Sequence, residues 1–82
     1  METSEVYNKI RAVIPDDERA NNLTKHLCND IVTNIKNVTS MELRPNYDCH
    51  VIYNNEWIKA ASTIKVDYTT EGGYKYDITL NI

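Results

Sequence analysis

Two periodicities divide this chain. From Val6 to Val38 apolar residues recur at steps of three and four, and from Tyr47 onward they alternate with polar ones. In the first part, Val6, Tyr7, Ile10, Val13 and Ile14 form one helical stripe, which Thr3 or Ser4 can cap. Pro15 ends that helix, because the residue before a proline resists the α region. Asp16 and Asp17 offer caps for a second helix, and Glu18 adds negative charge where the helix dipole favours it. Ala20, Leu23, Leu27, Ile31, Ile35 and Val38 keep one face, so the pattern predicts a single rod of about 21 residues, ~31 Å long. Thr39–Pro45 breaks the pattern and reads as a connecting loop holding Met41 and Leu43.

The alternating part predicts three strands. Tyr47, Cys49, Val51 and Tyr53 share one face of the first, with Asp48, His50 and Ile52 on the other. Asn54-Asn55 suits a two-residue turn, since Asn tolerates positive φ, and that turn sets Val51 opposite Ile58 and Cys49 opposite Ala60. Running Ile58–Tyr68 against Tyr74–Ile82 across Thr69–Gly73 sets Tyr68 opposite Tyr74, Val66 opposite Tyr76 and Ile64 opposite Ile78. The same register sets Asp67 opposite Lys75 and Lys65 opposite Asp77, opposite charges on the polar face. The expected fold is α+β: two N-terminal helices packed on one face of a three-stranded antiparallel β-meander. This element order is similar to that of the dynein light chains, without their sequence motifs and with one strand fewer.

The 82 residues are enough for one small domain spanning 1–82, near the lower size limit for folding alone. The first residues, Met1-Glu2-Thr3-Ser4-Glu5, lack the basic start and apolar run of a signal peptide, and no apolar run approaches a membrane span, so a cytoplasmic protein is expected. Six Tyr and no Phe mean that the aromatic hydroxyls must reach the surface or find partners.

Two Cys and two His match the count of a tetrahedral zinc shell, but their placement does not. Cys49 and His50 are neighbours on a strand and leave opposite faces, while His26 and Cys28 lie about 200° apart around a helix. No metal or other cofactor is expected. Cys28 and Cys49 are expected as separate, reduced thiols packed between the second helix and the sheet. Asp48, Asp67, Asp77 and Glu71 are acid/base candidates, but the alternation leaves them on a solvated face and Asp67 and Asp77 beside lysines. Glu71-Gly72-Gly73 has no phosphate-binding context. The pattern therefore points away from an enzyme and offers no small-molecule site.

The polar face also carries His50, Trp57, Lys59, Lys65 and Lys75, a composition that suits base stacking. Asp48, Asp67 and Asp77 on the same face would repel phosphate, and a net charge of −3 gives no attraction to nucleic acid. Apolar residues on that face matter more. Ile52 and Trp57 face each other beside the Asn54-Asn55 turn, with Lys59 and Ala61 near them, and this patch is the candidate partner-binding surface. A one-residue change of register would bury Trp57 instead. The second candidate is the outer edge of the last strand, through Tyr76, Ile78, Thr79 and Leu80, which lacks the Pro45, Asp48 and His50 that guard the first strand. In size and build the chain resembles small stoichiometric inhibitors of the phage anti-defence and toxin-immunity kinds. The expected function is non-catalytic blocking of a partner protein. The alternative is a self-associating structural or adaptor subunit, a homodimer formed through that edge.

Overall fold

The computed structural model describes residues 1–82. Helix α1 spans Thr3–Arg11 and buries Val6 and Ile10. Its N-cap is Glu2, with no side-chain bond to the helix, so neither Thr3 nor Ser4 caps it as expected; both lie within the first turn. Helix α2 spans Asp17–Lys25 and is capped as the sequence implies, with the Asp16 carboxylate accepting from Glu18 N at 3.0 Å and Arg19 N at 3.5 Å. The Tyr7 hydroxyl donates to Asp17, tying the two helices together across the Pro15 corner.

The second helix is not the expected rod to Val38. It passes into a π-helical turn at His26–Ile31, and a 3-10 turn follows at Ile35–Asn37. Burial explains the change. Leu27 is 0% and Val32 5% exposed, yet five residues span about 500° in an α-helix, leaving such a pair roughly 140° apart. The wider winding, closed by Val32 N–H to Leu27 O at 2.8 Å, lets both reach the core. Chain direction then reverses, and the β-branched run Ile31-Val32-Thr33 leaves the helix at an extended Val32.

Five strands follow: β1 (Val38–Asn46), β2 (Cys49–Tyr53), β3 (Glu56–Ala60), β4 (Thr63–Thr70) and β5 (Lys75–Asn81). The segment Thr39–Pro45 is thus strand rather than loop. Its Met41 and Leu43 pair with Tyr68 and Val66, while Glu42 and Arg44 alternate onto the open face. Strands β1, β4 and β5 form one antiparallel sheet in that order, and β2 and β3 form a separate hairpin. The two sheets belong to one long ladder. Asn46 pairs with Thr63, and three residues further along each strand Cys49 pairs with Ala60. The expected α+β architecture is present, with its first two meander strands longer than predicted and each broken once.

Ser62 marks the break. Its N–H bonds Asn46 O at 3.1 Å toward β1, while its C=O accepts from Ile82 N–H at 3.0 Å on the β5 side. A residue in a regular strand sends both groups to one side, so the ladder cannot continue unbent here. The Asp48 carboxylate clamps the bend, accepting from the Ser62 hydroxyl and from Asn46 Nδ2 at 3.2 Å.

The β4–β5 register also differs from expectation, by two residues. Ile64 faces Leu80, Val66 faces Ile78 and Tyr68 faces Tyr76, rather than Ile78, Tyr76 and Tyr74. A two-residue shift keeps every side chain on its face. The tighter turn sets it: Thr70 N–H bonds Tyr74 O at 2.8 Å, and Gly72 and Gly73 supply the φ values of +88° and +82° that it needs.

The core lies between the helices and one face of the β1-β4-β5 sheet. Val6, Ile10, Leu27, Ile64, Val66 and Leu80 are its fully buried large side chains, each contributing about 1.5–3 kcal/mol by the area it removes from water. No helix is long and apolar enough to cross a membrane. The β2–β3 hairpin extends beyond this core, and the molecule measures 45 × 20 × 18 Å.

Candidate functional site

The hairpin tip is built by its two asparagines. Asn54 and Asn55 adopt φ of +51° and +63°, the left-handed pair that matches the twist of flanking strands in a two-residue turn. The pairing expected from sequence follows: Val51 with Ile58, Cys49 with Ala60, and Ile52 with Trp57. Cys49, Val51 and Ile58 are half-buried and Ala60 is buried, so this face turns inward. On the other face Trp57 is 72% and Ile52 63% exposed, a large apolar pair held in solvent by a rigid turn.

Lys59 and His50 pair directly behind them on the same face, and neither makes a salt bridge. Ala61 leaves the candidate patch. It lies at the break between β3 and β4, 4% exposed, and joins the core because alternation fails there. Tyr47 and Tyr53 add exposed aromatic surface to the hairpin. A cleft of about 100 Å³ separates the hairpin from the α1–α2 corner, walled by Val13, Ile14 and Pro15 on one side and Val51, Tyr53 and Ala60 on the other. The hairpin thus meets the body loosely.

The second candidate surface is the free edge of β5. Tyr76 is half-exposed and stacks on Tyr68 with ring centroids 5.2 Å apart. Ile78 is half-buried, Thr79 exposed and Leu80 fully buried, so Leu80 offers no side chain to a partner. The bonds at the two ends of the β4–β5 ladder, Thr70 N–H to Tyr74 O and Ile82 N–H to Ser62 O, fix which backbone groups point where. Residues 74, 76, 78, 80 and 82 bond inward to β4, and Lys75, Asp77, Thr79 and Asn81 present N–H and C=O outward. Of the residues expected at this edge, only Thr79 offers its backbone; the other outward groups belong to Lys75, Asp77 and Asn81, as the bonds at the ladder ends show.

The thiols are half-buried rather than enclosed, and unpaired. Burial pushes the Cys28 thiol up, partly offset by a hydrogen bond from Thr3, and Cys49 Sγ donates to Ala60 O at 3.2 Å. His26 sits 3.2 Å from Asp30 on an exposed helical turn. No three His, Cys, Asp or Glu side chains converge where they could hold a metal ion. Comparison with known proteins gives no match to a family model, to a curated protein or to a solved structure.

Proposed function

We propose that this protein is a non-catalytic binding domain that acts by occupying the surface of a partner protein, in the manner of a small stoichiometric inhibitor, and that the β2–β3 hairpin makes the contact. One observation carries the reading: Trp57 and Ile52 face each other at the hairpin tip, 72% and 63% exposed, where they stabilise nothing in the core. Leaving an indole in water forgoes about 1.5–3 kcal/mol of burial, which a partner's pocket can recover. Lys59 beside the pair has no carboxylate of its own, so an apolar pocket with an acidic rim is the complementary surface.

The test is capture of a partner from the native host by immobilised wild type, Trp57→Ala and Lys59→Glu. The wild type should retain a protein that Trp57→Ala loses and Lys59→Glu weakens, with far-UV circular dichroism the same for all three. Equal capture by wild type and Trp57→Ala would remove the hairpin from the contact.

A further inference from the structure

The two outer edges of the β1-β4-β5 sheet are not alike. In β4, Ile64 and Val66 bond toward β5, so Thr63, Lys65, Asp67 and Thr69 bond toward β1; the Thr39 hydroxyl on Thr69 O at 3.2 Å agrees. Pro45, which faces Ile64, therefore sits with its nitrogen on the outer side of β1. It costs the ladder nothing and removes a donor from that edge. A register irregularity between Val38 and Ser40 and the charges of Glu42 and Arg44 further spoil β1 for pairing. Strand β5 has no proline and no irregularity. Its outward groups, on Lys75, Asp77, Thr79 and Asn81, bond to no helix, turn or side chain of the protein.

We infer that β5 pairs antiparallel with β5 of a second copy, in the register that sets Asp77 opposite Thr79′ and Lys75 opposite Asn81′. Three arguments select this occupant and this register. Only here do all the outward residues of both strands meet as hydrogen-bonded pairs. Centring the pair on Asp77 instead would set two carboxylates face to face. Setting Lys75 against Asp77′ would bring Thr79 to Gly73′, inside the turn at φ +82°, and leave Asn81 without a partner. On the helical side the chosen register sets the half-buried Ile78 against its own copy on the two-fold axis, with Tyr76 in line with Leu80′, which stays enclosed in its own core. The combined sheet runs β1-β4-β5-β5′-β4′-β1′, with Pro45 at both ends, so growth stops at two copies. This association is independent of the hairpin.

Light scattering at high-micromolar concentration should give the wild type twice the 9.5 kDa chain mass. Thr79→Pro removes an outward donor without touching the β4–β5 ladder, and should give the mass of one chain with unchanged far-UV circular dichroism. Ile78 lies on the two-fold axis at a non-hydrogen-bonded position, where Cα atoms approach to about 4.5 Å, within disulfide reach. Mild oxidation of Ile78→Cys should therefore link two copies through position 78, whereas Asp77→Cys should not link. Trp57→Ala should keep the dimer mass. A monomeric wild type, a dimer that survives a folded Thr79→Pro, or a link through position 77 would each overturn the inference. If Thr79→Pro does not fold, the two cysteine variants decide.

Discussion

Asp67 of β4 stands directly opposite Asp77 of β5, a like-charge pair in a position where such pairs repel. Each carboxylate has its own cation. Arg44 reaches Asp67 from β1, and Lys65 Nζ lies 3.6 Å from Asp77 diagonally across the ladder. Lys65 and Asp77 thus meet as the sequence suggests, but across a diagonal. The apolar face decides the register and the polar face adapts to it, since burying Ile64 against Leu80 and Val66 against Ile78 outweighs exposed ion pairs of about 0.2–1 kcal/mol.

Arg44→Ala should expose this repulsion. The expected cost is about 0.5–1 kcal/mol by urea unfolding at low salt, shrinking as salt is added. Adding Asp67→Asn should restore most of it. An unchanged midpoint for Arg44→Ala would mean that the two aspartates do not feel one another.

The Tyr7 phenol is raised above its ordinary value, chiefly by its hydrogen bond to Asp17 and then by burial and the nearby carboxylate charge. The folded state therefore holds this proton more tightly than the unfolded chain does. The stability it brings is complete below the usual phenol pKa of about 10 and is lost as pH rises through the raised folded value. Tyr7→Phe should abolish that alkaline loss. Unfolding midpoints of both proteins across the alkaline range check it, and parallel pH curves would refute it.

Removing the clamp at the bend should free the hairpin without unfolding the sheet. Asp48→Ala deletes two hydrogen bonds, from Ser62 and Asn46, each contributing about 0.5–1.5 kcal/mol. Amide hydrogen exchange in Cys49–Ala60 should accelerate by roughly tenfold, the factor that 1.4 kcal/mol corresponds to, with Ile64 and Val66 unchanged. Uniform acceleration across both regions would show that the hairpin and the core open together.

The turn offers a backbone test. Asn54 and Asn55 both hold positive φ, so Asn55→Gly should be neutral or stabilising by a few tenths of a kcal/mol, whereas Asn54→Val should cost about 1–2 kcal/mol through its branched β-carbon. Thermal melts of the two variants separate these outcomes.

Core and tip should respond oppositely to truncation. Leu27→Ala, at a fully buried position, should cost about 2–5 kcal/mol in chemical denaturation. Trp57→Ala should stay within roughly 0.5 kcal/mol of wild type, as for an exposed side chain outside the core. A large loss for Trp57→Ala would mean that the indole supports the fold.

Where one local rule governed, the sequence alone was enough. The 3.6-residue stripe of Val6 and Ile10, the Asp16 cap, the Asn54-Asn55 turn with its Ile52–Trp57 pair, and the assignment of β4 and β5 residues to faces all follow from spacing and turn chemistry. These features depend on neighbours within a few residues. Four others do not. The π turn after Lys25 exists because Leu27 and Val32 must both reach one core. The segment around Met41 is strand because β4 lies beside it, with Pro45 tolerated only at an outer edge. The two-residue register of β5 and the bend at Ser62 are set by pairing partners brought together from distant parts of the chain. Periodicity reports which face a residue occupies, since that is local. Which residue stands opposite it, and which backbone groups remain unpaired, is decided only when the strands meet.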